Sequence, residues 1–199
     1  MYIYLLIGLF GVIIYLFIFW RKLKEDYVAN QIFTTAFMSI FFGLIMFFVS
    51  MKFLPLWWFW LFLVGFTFGL TLGIIRYHMR RYETVEASGI AILPWIFLVF
   101  ITDAIINQSV YSFVYALTVV ISVFVYIILS KKYKEFSWYA SGRVGFAGLT
   151  AIGVFFLLRG VVAFIFPNML SFVGKIDALI SGMVAFVVFM SVLNLARDK

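Results

Sequence analysis

Seven long apolar runs dominate this sequence, at about 2–20, 32–54, 56–75, 86–102, 110–130, 144–166 and 176–195, each 17 to 23 residues long. At about 1.5 Å of rise per helical residue, such a run matches the roughly 30 Å hydrocarbon core of a bilayer. In lipid the runs must be helical, because a helix satisfies its own backbone N–H and C=O groups where no water can. Composition excludes the soluble alternative: 66% of residues are hydrophobic and 12% are charged, far from the near-half apolar and quarter-charged balance of a water-soluble domain. The connecting segments are too short to hold a separate domain. The expected fold is therefore all-α, a polytopic transmembrane helix bundle of about seven spans forming a single domain over residues 1–199.

Charge placement orients the bundle. Arg21, Lys22 and Lys24 follow the first run, Arg76, Arg80 and Arg81 the third, and Lys131, Lys132, Lys134 and Arg143 the fifth, while Arg197 and Lys199 close the chain. These 12 of the 15 basic residues fall on alternate connections, against only Lys52 and Lys175 on the others. Basic loops stay in the cytoplasm, so the amino terminus is expected outside and the carboxyl terminus inside. Trp57, Trp58 and Trp60 then read as an external interfacial belt. The first run lacks a basic leader and a small-residue cleavage site, which makes it a retained helix rather than a signal peptide.

Several chemistries are excluded early. The formal charge of +7 is spread over short clusters between spans rather than along one amphipathic face, so nucleic acid is not an expected partner. Without cysteine there is no disulfide, thiolate nucleophile or redox pair, and one histidine, His78, cannot make an all-protein zinc site. No metal or cofactor is expected. His78 stands among Arg76, Arg80 and Arg81, where solvation or anionic headgroups suffice to explain it.

The residue that asks most for an explanation is Arg159, in GVFFLLRGVVAFIF. A charge within a span costs roughly 2.5–3.5 kcal/mol on insertion scales and marks either a site or a partner. It could clamp a lipid phosphate or a developing negative charge, or form an ion pair with Asp103 or Asp177. Asp103 and Asn107 are four residues apart and share a helical face if the fourth span continues past Thr102. A carboxylate there could serve as a general base, or the stretch with Gln108 and Ser109 could be an ordinary solvated loop. Glu83 and Glu86 begin the fourth span, where carboxylates complement the helix dipole and pair with Arg80 and Arg81. Gly65, Gly69 and Gly73 recur every fourth residue along the third run, a pattern that lets another helix, or a lipid chain or headgroup, approach closely. Pro94 should kink the fourth span.

Taken together, the first span followed by RKLKEDYVANQIF, the glycine-rich VGFTFGLTLGIIRY, and the late SGRVGFAGLTAIGVFFLLRGVVAFIF resemble the prolipoprotein diacylglyceryl transferase family. That resemblance implies seven spans with an external amino terminus, in the bacterial plasma (inner) membrane. It also implies phosphatidylglycerol as lipid substrate and the lipobox cysteine of a preprolipoprotein as acceptor. Arg159 is similar to the family's late arginine. The sequence departs from the family at Gly160, where an aromatic is usual, and at Ala163, where a glutamate is usual. The family's Gly-Arg-x-Gly-Asn signature has only a displaced echo in Gly142, Arg143 and Gly145, with Phe146 in the place of asparagine. The third span lacks the family's histidine.

Two functions follow from these residues. In a divergent diacylglyceryl transferase, Arg159 would hold the phosphatidylglycerol headgroup with Gly65, Gly69 and Gly73 bordering the lipid, and Asp103 with Asn107 would act as base or orienter. In a degenerate relative, the bundle would persist as a non-catalytic lipid-binding or scaffold protein. A small transporter is disfavoured because no inverted repeat or matched pair of broken helices occurs.

Overall fold

A computed structural model describes residues 2–136, 145–167 and 171–197. Its helices are α1 (Tyr2–Leu23), α2 (Ala29–Phe53), α3 (Trp58–Tyr77), α4 (Arg81–Ile106), α5 (Val110–Lys132), α6 (Phe146–Ile165) and α7 (Ile176–Arg197). All seven are long and apolar enough to cross a membrane, and no strand occurs among the described residues. The expected spans are reproduced, with differences at their polar ends. Helix α4 runs from Arg81 to Ile106, beyond the apolar run at 86–102 on both sides. Hydropathy stops where charges begin, whereas backbone hydrogen bonding continues through the interfacial turns.

The connections are short for identifiable reasons. Pro55 opens a single 3-10 turn, Pro55–Trp57, between α2 and α3, a position where its missing N–H costs nothing. Before it, Ser50 Oγ donates to the Leu54 carbonyl at 2.7 Å. Helix α3 stops at the exposed His78, whose left-handed backbone (φ 53°) lets the Met79 N–H reach the Ile74 carbonyl at 3.1 Å. Ser109 begins α5 by accepting the Ser112 N–H at 3.3 Å. Helix α4 continues through Pro94.

Packing is antiparallel and built on small residues. Helices α2 and α3 form the most intimate pair, α6 lies on α7, and α1 lies along α4. Gly65 and Gly69 face the Phe42 and Met38 carbonyls of α2, and Gly73 faces the Thr35 side chain, each so close that a Cβ would overlap its neighbour. Helix α2 thus covers the glycine face, and a lipid there would have to displace it. One apolar core, including Tyr15, Phe19, Phe66 and Leu70, joins α1 to α4. A second, including Phe59, Trp60, Phe100, Tyr115 and Phe155, joins α3 to α7. Phe37, Phe41, Phe48, Phe164 and Phe186 point away from both. Arg21, Lys22, Arg76, Arg81, Lys131, Lys132 and Arg197 sit in terminal turns at one end of the bundle, hereafter the basic end.

Candidate functional site

Near the opposite end, four helices converge on Arg159. It sits less than two turns before the end of α6 and is fully buried, as is Asp177 in the first turn of α7. Its Nη2 lies 3.0 Å from Asp177 Oδ1 and donates to Asp177 Oδ2 at 3.1 Å. Nη2 also donates to the Ser171 carbonyl at 2.8 Å, and Nη1 donates to Tyr115 Oη at 2.6 Å and Ser171 Oγ at 3.2 Å. The four terminal guanidinium hydrogens therefore all have protein acceptors, and only Nε is buried without one.

The carboxylate is as fully engaged. Asp177 Oδ2 accepts from Trp60 Nε1 at 3.0 Å and from the Val173 N–H at 3.2 Å, and Oδ1 accepts from Ser181 Oγ at 3.2 Å. Aromatic faces close the remaining sides. The guanidinium carbon is 3.8 Å from the Phe59 ring centroid, 4.6 Å from that of Phe172 and 5.3 Å from that of Trp60, arrangements that attract a cation most strongly where water is excluded. Ser171 adopts a left-handed backbone (φ 78°), which costs a non-glycine residue about 1–2 kcal/mol. The geometry that results aims both its carbonyl and its hydroxyl at Arg159. The ion pair thus ties α3, α5, α6 and α7 together.

Of the two carboxylates considered as partners for Arg159, Asp177 takes the role. Asp103 is 6% exposed near the end of α4 and belongs to a separate polar cluster. Asp103 Oδ1 accepts from Asn107 Nδ2 at 2.8 Å and from Tyr4 Oη at 3.4 Å, while Ser112 Oγ donates to Oδ2. The solvated-loop reading is corrected at Asp103 alone: α4 extends to Ile106 and turns this carboxylate inward onto α5 and α1, whereas Asn107 to Ser109 form the connection to α5, with Asn107 and Gln108 exposed. The two centres lie close along α5, which supplies Ser112 to one and Tyr115 to the other, one helical turn apart.

Trp60 also departs from expectation. Rather than joining Trp57 and Trp58 in an interfacial belt it is buried, its indole N–H on Asp177. At the basic end Glu83 pairs with Arg80 at 3.7 Å as expected, but Glu86 pairs with Lys22 of α1 at 3.6 Å rather than with an arginine. Gly142 and Arg143 of the GRVG motif lie outside the described residues. Among the described residues no cluster of acidic and histidine side chains could hold a metal ion.

Tyr115 and Ser171 could not be recognised as partners from the sequence, because nothing local distinguishes them from other tyrosines and serines near span ends. Asp177 carried the one usable signal, a carboxylate opening an apolar run at the same level as Arg159. Comparison with known proteins finds no matching family model, no matching curated protein and no matching solved structure.

Proposed function

We propose that this chain is a non-catalytic membrane scaffold, a degenerate relative of the diacylglyceryl transferases that its sequence resembles, with its late arginine serving to hold helices together. The observation that carries this reading is how Arg159 is held: its terminal N–H groups are accepted, its charge is paired, and its one unpartnered N–H, on Nε, is fully buried. A guanidinium that is to bind a lipid phosphate needs accessible free N–H groups and uncompensated charge. Here all four terminal hydrogens are accepted by Tyr115, Ser171 and Asp177, and the charge is neutralised at 3.0 Å. Asp103, the residue considered as base, is likewise engaged by Ser112, Asn107 and Tyr4. The cytoplasmic carboxyl terminus implied by the basic connections and the bacterial plasma membrane implied by the resemblance are part of the same proposal.

A second reading, an active transferase, is favoured by the α5 partners of Asp103 and Arg159, Ser112 and Tyr115, standing about one helical turn apart. In that reaction a client cysteine thiolate forms an S–C bond to the diacylglyceryl carbon. The C–O bond to phosphate breaks and glycerol phosphate leaves, its charge met by Arg159. Membranes containing the protein, supplied with phosphatidylglycerol and a lipobox peptide, separate the two readings. The scaffold reading predicts no lipidation above background. Lipidation that is lost in a folded Arg159→Lys variant establishes the transferase instead.

A further inference from the structure

Helix α1 lies against α4 along one face, on which Tyr4, Gly8, Gly11, Tyr15 and Lys22 recur every three, four or seven residues. Four of these five meet α4. Tyr4 Oη donates to Asp103 Oδ1 at 3.4 Å, a Cβ on Gly11 would enter the Trp95 indole, Tyr15 Oη lies 3.2 Å from Ser88 Oγ, and Lys22 pairs with Glu86 at 3.6 Å. Gly8 is the exception. A Cβ built on it meets no atom within 4 Å, and the residue is half-buried although it stands in the middle of the inward face. The two helices therefore part at this level, about 6 Å along α1 from Tyr4 and about 4.5 Å from Gly11. The opening lies on the bilayer side of the Asp103 cluster. Asp103 is three residues, about 4.5 Å, from the end of α4, at headgroup depth, and Gly8 is six residues, about 9 Å, from the start of α1, where lipid chains begin.

Asp103 differs from the other buried carboxylates among the described residues. Glu83, Glu86 and Asp177 each face a cation, on Arg80 at 3.7 Å, Lys22 at 3.6 Å and Arg159 at 3.0 Å, whereas Asp103 faces none. Its partners Ser112, Asn107 and Tyr4 are neutral, so they place the carboxylate without cancelling its charge. Buried charges are ordinarily paired, and the partner missing here is a cation. Tyr4 is the group that can make room for one. Its bond is the longest of those with a stated length, it is 40% exposed, and Asp103 keeps Asn107 at 2.8 Å and the Ser112 hydroxyl without it. A primary ammonium suits the place, having one charge to match one carboxylate and three N–H groups to spread over Asp103 and the oxygens of Tyr4 and Asn107. We propose that Asp103 receives the ammonium of an amine-headed phospholipid of the adjoining leaflet, at the position that Tyr4 Oη vacates, with the lipid glycerol and upper chains in the opening at Gly8. Charge complementarity selects the headgroup, and the opening selects a lipid over a soluble amine. The inference goes beyond the scaffold reading and rests on Asp103 and Gly8 rather than on Arg159.

The test is a lipid titration of the full-length protein in detergent, read by native mass spectrometry and independent of any lipidation assay. Dioleoyl phosphatidylethanolamine is compared with the phosphatidylcholine of the same chains, whose cation has no N–H, and with the phosphatidylglycerol, which has no cation. Wild type should bind the ethanolamine lipid about tenfold or more tightly than either, the fold-change that one charge-assisted hydrogen bond supplies. Asp103→Asn, which keeps a side chain of the same shape, should bring that preference to within about twofold. Gly8→Leu fills the opening and should weaken the ethanolamine lipid about tenfold, the equivalent of two methylene contacts. Equal binding of the three lipids by wild type, or tighter binding of phosphatidylglycerol, overturns the proposal without reference to any variant. An undiminished preference in Asp103→Asn also overturns it, as does unchanged affinity in a Gly8→Leu variant of wild-type helical content. Displacement of the lipid by an equal concentration of free ethanolamine would overturn the assignment to a lipid.

Discussion

Replacing Asp177 by alanine should be among the most damaging single changes in this protein. The substitution leaves the Arg159 guanidinium, which does not deprotonate in proteins, charged in a fully buried site. It also strips the acceptor from Trp60 Nε1, the Val173 N–H and Ser181 Oγ. Removing one member of a buried ion pair costs about 3–5 kcal/mol. The neutral donors add little to this, since interhelical hydrogen bonds in membrane bundles average about 0.6 kcal/mol. An expected loss of about 3–5 kcal/mol is a large share of a typical folding stability of about 5–15 kcal/mol. Replacing both partners by apolar residues, Arg159→Met with Asp177→Ala, removes the stranded charge together with the pair and should recover most of the loss. The two sites should therefore couple by about 2 kcal/mol or more. Reversible unfolding in mixed micelles, followed by tryptophan fluorescence because Trp60 reports from within the centre, measures all four corners of the cycle. An Asp177→Ala variant within about 0.5 kcal/mol of wild type would refute the reasoning, as would a double variant as unstable as the sum of the singles.

Trp60→Phe removes the donor held at 3.0 Å by Asp177 together with part of a buried indole; it should cost about 1–3 kcal/mol in unfolding followed by circular dichroism. Gly69→Val places a Cβ into the Met38 backbone carbonyl, which cannot move aside without shifting α2. It should lose about 1–3 kcal/mol, while Gly8→Ala, with nothing within 4 Å of the added carbon, should stay within about 0.5 kcal/mol of wild type. Asp103→Asn should loosen the attachment of Tyr4, seen as faster hydrogen exchange at the start of α1. Combined with Asp177→Ala it should be additive within about 0.5 kcal/mol, because the two carboxylates share no partner.

The span count was legible because it depends only on apolar length, a property each segment carries by itself. Helix ends were less so: Arg81 to Glu83 at one end of α4 and Asp103 at the other are polar enough to interrupt hydropathy but not the backbone ladder. Arg159 announced itself through the cost of a charge in a span, and Asp177 was one of two carboxylates that could answer it. The choice between them was a matter of three-dimensional packing. Asp103 meets Ser112 and Asn107 on the α4–α5 corner, whereas Asp177 begins α7, which lies along α6. Trp60 was misread because an aromatic near a span end has the same sequence appearance whether it faces headgroups or turns inward. The pairing of Glu86 with Lys22 was hidden for a related reason, since no local pattern shows that Lys22 reaches α4 rather than water.

The central claim is that Arg159 is held by Asp177 and not by lipid. Solid-state NMR of the protein in phosphatidylglycerol bilayers tests it, with the arginine guanidinium nitrogens labelled and dephasing measured separately to aspartate carboxyl carbons and to lipid phosphorus. The account predicts strong dephasing of the Arg159 nitrogens by the Asp177 carboxyl carbon and none by phosphorus. Dephasing by phosphorus, and none by the Asp177 carboxyl carbon, would contradict it.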